Sequence, residues 1–254
     1  MNKIIYLLVA FLIFSCASKK DVLYFQDSSE LNLTEIDKEF QPIIEVNDIL
    51  YITLSSVDQQ VLEPFLRVKQ LQITNSVYNS NPGLGGYLVN VDGNISFPII
   101  GEINVEGHTR QYIENYLKTE ISKYVKDVVV DVRIMNFKVT VIGEVKKPGV
   151  YSIVDERVTL TEALALAGDL TDDANRHTVT IIREENDVQK VVKIDLTTSD
   201  LYNSPFYFLK QNDLVYVEPS KKGVVKTGFV SDISILLSIV TVLLSTVILI
   251  TNIN

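Results

Sequence analysis

The sequence predicts an α+β protein with two small α/β domains followed by a C-terminal transmembrane helix. Two observations support this prediction. Overall, 46% of the residues are hydrophobic and 22% are charged, which is typical of a folded chain, but the long apolar runs lie only at the two ends. Between those ends, strand-like runs give way twice to a helical spacing and then resume.

Charge and cysteine content exclude several classes of function. The 254 residues include 23 Lys and Arg against 32 Asp and Glu, a formal net charge of −9. This argues against a nucleic-acid partner, because such proteins need a basic patch. One cysteine cannot form an intramolecular disulfide or a Cys-rich zinc site, and the two histidines, His108 and His177, lie far apart in the chain. We therefore predict no metal centre.

The N-terminus has the features of a lipoprotein signal. A short basic region precedes residues 4–14, an uncharged apolar run that is too short to span a bilayer as a helix. The only cysteine follows directly, and the four residues that end at Cys16 resemble a bacterial lipobox. We expect residues 1–15 to be removed, Cys16 to carry lipid and residues 16–41 to form a tether. A buried free cysteine is the alternative.

The C-terminus contains a second apolar run. No charged residue follows Asp232, and residues 233–250 form 18 consecutive uncharged positions. As a helix this run would be about 27 Å long, close to the ~30 Å of a hydrocarbon core. We therefore predict that residues 223–254 form a C-terminal membrane helix. The alternative, a buried core helix, needs a larger protein around it.

Small polar residues recur in this C-terminal segment at spacings of three and four, which places them on one face of a helix. Such residues let helices approach closely and hydrogen-bond to each other. The stripe is therefore predicted to be a helix–helix seam of an oligomer or the wetted wall of a lumen. The alternative is that the hydroxyls only bond carbonyls of their own helix. The stripe consists of Thr227, Ser231, Ser234, Ser238, Thr241, Ser245 and Asn252.

The first ordered region, residues 42–137, combines short strands with one helix. Asn47 and Asp48 form a turn pair between two apolar runs, which predicts a short strand on either side. Thr109 is placed to cap a helix whose apolar residues follow helical spacing. Residues 128–134 then alternate as one strand with a buried face.

The second ordered region, residues 138–222, has the order strand, turn, strand, helix, hairpin and strand. Pro148 and Gly149 form the tight turn between the first two strands. Thr159 and Glu162 have the spacing of a capping box at the start of the helix. This order predicts one helix that packs on a small sheet.

A short similarity links the two regions. Residues 46–52 and residues 210–217 both place an Asn-Asp pair before an apolar strand that contains a tyrosine. The match is too short to demonstrate a duplication.

Several segments together resemble the outer-membrane polysaccharide export family, which secretes capsule and exopolysaccharide. Residues 86–109 follow the pattern D-G-x-I-x-x-P-x-x-G-x-[IV]-x-[VA]-x-G-x-T of its export domain. Residues 141–151 and 159–168 resemble its soluble-ligand-binding β-grasp domain, and residues 212–219 are similar to the way that domain closes. The resemblance covers residues 42–219 and implies a polysaccharide export domain followed by a β-grasp domain.

The resemblance implies a passive conduit. A homo-oligomeric ring of outer-membrane lipoproteins, with soluble domains in the periplasm, would pass capsular or exopolysaccharide. Its implied partner is an inner-membrane polysaccharide copolymerase, often a tyrosine autokinase. No G-x-S-x-G, H-E-x-x-H or Walker motif occurs in the chain, so we predict no enzyme activity and no catalytic, cofactor-binding or metal-ligating residue. One alternative is a periplasmic scaffold lipoprotein that binds a glycan or a partner protein and forms no pore. Another is an inner-membrane accessory protein anchored by the C-terminal helix, because hydropathy does not distinguish the two membranes.

Overall fold

The structure is a computed structural model, and it shows sheets and helices in both domains, as an α+β protein requires. It describes residues 22–27, 40–66, 86–185, 188–226, 237–242 and 245–246.

The first domain is built around a small antiparallel sheet. In chain order its elements are β1 (Ile49–Ser55), a 3₁₀ helix (Gln60–Phe65), β2 (Tyr87–Leu88), β3 (Asn94–Phe97), β4 (Gly101–Asn104), α1 (Arg110–Ile121) and β5 (Val129–Ile134). The three-stranded sheet has the order β2-β1-β5, so Leu50 in β1 lies opposite both Tyr87 and Ile134. β3 and β4 form a separate hairpin, and α1 packs against β5.

The start of α1 and its buried face confirm the sequence prediction. The Thr109 hydroxyl accepts a hydrogen bond from the backbone N–H of Tyr112 at 3.3 Å, which satisfies one of the free donors at the helix start. Ile113, Leu117 and Ile121 lie four residues apart on one face and are fully buried. Local spacing therefore determines how this helix packs.

The second domain is a larger mixed sheet with one central helix. Its elements are β6 (Lys138–Gly143), β7 (Gly149–Ser152), β8 (Val158–Thr159), α2 (Leu160–Leu166), β9 (Ala174–Glu185), β10 (Val188–Ile194), a 3₁₀ helix (Ser199–Asn203), β11 (Phe208–Leu209), β12 (Leu214–Pro219) and α3 (Lys221–Lys226). The five-stranded sheet has the order β10-β9-β12-β6-β7. β12 is parallel to β6, whereas the other pairs are antiparallel. β8 and β11 pair separately.

The predicted capping box at the start of α2 is confirmed. The backbone N–H of Glu162 donates to the Thr159 hydroxyl at 3.2 Å, and the Glu162 carboxylate accepts from the backbone N–H of Thr159 at 2.8 Å. Shortly after the helix, Gly168 has a φ of 78°. Glycine adopts this left-handed conformation without steric cost, so it turns the chain there.

The predicted C-terminal transmembrane helix is wrong. Among the residues that the structure describes, no helix is both long and apolar enough to cross a membrane. The α1 helix has 12 residues, about 18 Å at ~1.5 Å per residue, and it carries several charges. In the apolar run, the described helical residues are 237–242 and 245–246. High hydropathy alone did not establish a spanning helix, which needs about 20 residues.

Residues 22–27, here called the N-terminal strap, contact the second domain. The backbone N–H groups of Phe25 and Gln26 donate to the carbonyls of Leu196 and Thr197 at 3.2 and 2.7 Å. The Asp27 carboxylate accepts from the backbone N–H and the hydroxyl of Ser199. Part of the segment predicted as a tether is thus packed on the folded chain.

The two domains share one continuous hydrophobic core. Ile134, at the end of β5, and Phe137, just before β6, are both buried, so the connection between the domains runs through the core rather than over the surface. Within this connection, the Asn136 side chain accepts from the backbone N–H of Ile49 at 2.8 Å and donates to the carbonyl of Asn47 at 3.0 Å. These contacts hold the connection against the first domain.

Candidate functional site

Two turns of the same design meet at the domain boundary. In the first, the backbone N–H of Glu45 donates to the Asp48 carboxylate at 2.9 Å. In the second, the backbone N–H of Lys210 donates to the Asp213 carboxylate at 2.8 Å. Both aspartates are about 1% exposed and each is followed directly by a strand, β1 or β12. Each turn thus satisfies a backbone donor with a buried carboxylate three residues later.

The third residue of each turn is an asparagine in the left-handed conformation. Asn47 has a φ of 69° and Asn212 a φ of 62°. Asparagine tolerates this region better than most residues other than glycine, which explains why the same Asn-Asp pair occurs in both places. The short sequence similarity between the two regions therefore corresponds to a shared local structure.

In the second turn, the buried carboxylate of Asp213 is neutralised by the buried guanidinium of Arg183. The Arg183 guanidinium donates from Nε and Nη2 to the two carboxylate oxygens of Asp213 at 2.9 and 2.6 Å. Both side chains are almost fully buried, and Arg183 also lies over the ring of Phe206, 4.5 Å from its centroid. A bidentate pair of this kind holds β9 and the start of β12 together.

The first turn has no such cation among the described residues. Burial raises the pKa of Asp48 to about 6, although hydrogen bonds from the Glu45 N–H and the Gln211 side chain lower it. Burial, followed by the charge of Asp48, raises the pKa of Glu45 to about 7, while the charge of Lys210 lowers it. The domain boundary therefore contains two carboxyl groups that are protonated more readily than exposed ones.

Gln211 joins the second turn to the connection between the domains. Its side-chain oxygen accepts from the backbone N–H of Lys138 at 2.7 Å, and its side-chain nitrogen donates to the carbonyl of Asn136 at 2.8 Å. A second clamp comes from Glu156, whose carboxylate accepts from the backbone N–H of Ile134 at 2.7 Å and lies 3.8 Å from the guanidinium of Arg110. Burial raises the pKa of Glu156 as well.

A cavity of about 290 Å³ lies at this boundary, between the two turns. Within the described part of the chain, the Glu45 carboxyl on its wall makes no hydrogen bond. The neighbouring Lys210 ammonium donates to Glu185 at 2.6 Å. The aromatic and polar side chains of the wall are Phe40, Phe137, Gln41, Glu45, Lys210 and Gln211.

A second cavity, of about 520 Å³, lies between the N-terminal strap and α2. Tyr24 and Phe25 of the strap line it together with Leu164 of α2. The Tyr24 hydroxyl donates to the Asp169 carboxylate at 2.6 Å, and burial, followed by this contact, raises the pKa of Tyr24 to about 12. This cavity lies against the second domain alone.

The residues singled out from sequence lie mostly outside the described part of the chain. This applies to Cys16, Thr227, Ser231, Ser234 and Asn252.

Three members of the stripe are described, and they are exposed: Ser238, Thr241 and Ser245. The Thr241 hydroxyl donates to the carbonyl of Leu237 at 3.0 Å, and the Ser245 hydroxyl to that of Val242 at 2.8 Å. The alternative interpretation of the stripe, in which the hydroxyls only bond carbonyls of their own helix, predicts bonds of this kind. The seam, the lumen wall and the lipidation of Cys16 stay predictions.

Sequence reasoning missed the domain boundary as a candidate site. Phe40 and Gln41 fell in the predicted tether, and Glu45 was only one acidic residue among many. The repeated Asn-Asp pair was the one signal that pointed there, because it marks both turns.

The chemistry at the boundary is that of binding and support. Asp48, Glu156 and Asp213 accept backbone N–H groups, so these carboxylates hold the structure together. Across the described ranges, no group of three or more His, Cys, Asp or Glu side chains is placed to hold a metal ion. The Glu45 carboxyl remains available to a ligand.

Comparison with protein families divides the chain at this same boundary. A family described as "Polysaccharide biosynthesis/export protein" matches residues 38–135, and the "SLBB domain" family matches residues 137–217. The one residue between the two matched ranges is Asn136. Its side chain bonds to Asn47 and Ile49 of the first domain, and its backbone carbonyl accepts from Gln211 of the second.

Two curated proteins are similar to the chain. The "EPS I polysaccharide export outer membrane protein EpsA" of Ralstonia solanacearum is 34% identical over 148 residues, which cover 56% of this chain and 38% of that protein. The protein of the same name from Ralstonia nicotianae is 40% identical over 94 residues, 36% of this chain and 25% of that protein. The chain thus spans well under half the length of either relative.

Proposed function

This chain belongs to the polysaccharide biosynthesis/export family, and we propose that it exports an extracellular polysaccharide at the outer membrane. The observation that carries the proposal is the order of the two matched domains, an export domain directly followed by an SLBB domain. Relatives that share this region are named as outer-membrane export proteins.

We propose that the protein works without catalysis, as one subunit of a homo-oligomeric ring. The continuous core and the clamps by Gln211 and Glu156 support a body that acts as one unit, which suits the wall of a conduit. The formal charge of −9 would limit adsorption of an acidic polymer to that wall. Transport would be driven by polymer synthesis and by an inner-membrane copolymerase.

We also propose that the chain is anchored to the outer membrane through lipid on Cys16, with both domains in the periplasm. Intact-mass measurement on protein extracted from membranes tests this directly. Loss of residues 1–15 and added lipid mass are expected for the native chain, and a Cys16→Ser variant should keep its signal segment. A native chain with Met1 and a free thiol would contradict the anchor.

The transport role is tested by deleting the gene and locating the polymer. For a conduit, secreted glycan falls and glycan accumulates in the periplasm, and the full-length gene restores secretion. If secretion is unchanged in the deletion strain, the proposal fails. If secretion falls without periplasmic accumulation, the protein acts in synthesis or as a scaffold, and the conduit is rejected.

The native mass of the detergent-purified protein tests the ring separately. A ring of several copies should have a mass several times 28.6 kDa, whereas a scaffold that binds one partner has no need of such an assembly. A mass equal to one chain would reject the ring.

A further inference from the structure

We infer that the cavity at the domain boundary binds one uncharged pyranose unit of a glycan. The inference rests on the proposed function, because an exported polysaccharide is what would bring pyranose units to this surface. Neither matched family nor the similar proteins' names assign a ligand to this boundary.

The first observation is that the Glu45 carboxyl on the cavity wall has no hydrogen-bond partner among the described residues. Glu45 is half-buried. A half-buried carboxyl of this kind can exchange solvent for a ligand hydroxyl without breaking a hydrogen bond of the protein. Sugar hydroxyls both donate and accept, and they suit a carboxyl in either protonation state.

The second step is the composition of the wall. Phe40 lines the cavity, while its ring stacks on Phe208 with centroids 4.7 Å apart. The Arg157 guanidinium lies over the same Phe208 ring, 4.8 Å from its centroid, so the second domain holds the ring on which Phe40 stacks. Apolar walls with a few placed polar groups are typical of small-molecule sites. The apolar face of a pyranose can pack on such a wall while its hydroxyls reach Glu45 and Gln41.

The third step is charge and size. The charges of Asp48, Asp213 and Glu185 act on Glu45 against that of one cation, Lys210, which already donates to Glu185. Acidic groups thus outnumber the cation around Glu45, and they would repel the carboxylate of a uronic acid. The volume of about 290 Å³ lies at the lower end of the ~300–1,000 Å³ typical of ligand pockets. One ring with its substituents fits that space better than an oligosaccharide.

The test uses saturation-transfer NMR on the full-length chain in detergent. The probes are the methyl pyranosides of glucose, galactose and mannose at millimolar concentration, with glucuronic acid as the charged counterpart. We expect at least one methyl pyranoside to bind and glucuronic acid not to bind. Glu45→Ala should weaken binding roughly ten-fold, as expected for loss of a hydrogen bond to a charged group. Ile43→Trp, at the exposed rim of the cavity, should abolish binding by filling it.

The matched control is Phe25→Ala, which removes an aromatic ring from the other cavity and should leave binding unchanged. Binding that survives Ile43→Trp, or that is lost equally in Phe25→Ala, would overturn the inference. So would the absence of saturation transfer from the wild-type chain to any of the methyl pyranosides. Melting curves identify any variant that fails to fold. If either Glu45→Ala or Ile43→Trp fails to fold, the other of these two variants decides the test.

A tetrasaccharide probe distinguishes the source of the sugar. If the cavity takes a unit within a polymer, maltotetraose or cellotetraose binds at least as well as its methyl monosaccharide. If it takes only a free sugar, the monosaccharide alone binds well, and the polymer-unit inference is rejected. Secretion by the gene-deletion strain tests the transport role independently, so failure of the sugar site leaves that result standing.

Discussion

The side chain of Gln211 donates a hydrogen bond to the backbone carbonyl of Asn136, 2.8 Å away across the domain boundary. The same Gln211 accepts from the backbone N–H of Lys138, so one side chain satisfies two backbone groups of the connection. Asn136 in turn bonds to Asn47 and Ile49 of the first domain. This arrangement makes the connection between the domains a fixed part of the core.

Gln211→Ala should loosen this connection. It leaves two poorly solvated backbone groups without partners, at about 1–3 kcal/mol, and we expect the melting temperature to fall by several degrees. Gln189→Ala, which truncates an exposed glutamine on β10, is the control and should have almost no effect. Equal melting temperatures for both variants would show that Gln211 does not hold the boundary.

The domain boundary should become less stable as the pH rises from about 4 to 7. The pKa of Glu45 is raised from its ordinary value to about 7 and that of Asp48 to about 6. The native state therefore holds more protons than the unfolded state between about pH 4 and pH 7, and stability falls as pH increases in that window.

Glu45→Gln isolates the contribution of one of these groups. The variant should be more stable than the wild type at pH 8, by on the order of 1–3 kcal/mol, and similar to it below pH 4. Denaturant titrations at several pH values measure the difference, and Glu102→Gln on exposed β4 is the control. A wild-type-minus-variant difference that is independent of pH would refute the raised pKa.

Breaking the buried Arg183–Asp213 pair should be costly. Arg183→Ala leaves the Asp213 carboxylate buried without its cation, which predicts a loss of about 3–5 kcal/mol. The control is Lys193→Ala, which removes the exposed partner of Glu218, where about 0–1 kcal/mol is expected. Chemical denaturation of both variants measures the contrast, and similar losses would argue against the assigned burial.

Gly143 should not tolerate a side chain. Its φ is 92°, and an added Cβ would lie about 2.1 Å from the carbonyl oxygen of Val217 on the neighbouring β12. Gly143→Ala should therefore disrupt the β6–β12 pairing and lower the yield of folded protein. Gly107 also has a positive φ, of 75°, but nothing lies within 4 Å of the position that a Cβ would take there. Gly107→Ala should cost only the backbone strain, about 1–2 kcal/mol, and circular dichroism with thermal melting distinguishes the two variants.

Features that depend on neighbours in sequence could be predicted. The Thr159–Glu162 capping box spans three residues, and the buried face of α1 follows from its own spacing. The turn at Asn47 and Asp48 was also predicted, but only the run after it forms a strand. The run before it makes one isolated bridge, from Ile43 to Thr109.

Features that depend on packing between distant segments could not be predicted. Gln211 and Asn136 are 75 residues apart, and no local pattern pairs a glutamine with a backbone carbonyl. Phe40 likewise acquires its role only when Phe208 stacks on it. The transmembrane prediction was wrong as well, since no helix among the described residues is both long and apolar enough to cross a membrane.

The N-terminal strap determines the path of mechanical load through the molecule. A pull on the chain before Val22 meets the hydrogen bonds of Phe25 and Gln26 to Leu196 and Thr197, and then the contact of Asp27 with Ser199. All of these partners belong to the second domain, so tension reaches that domain before it can reach Phe40 and the first domain. The domain that comes second in sequence is thus the first to bear force applied at the N-terminus.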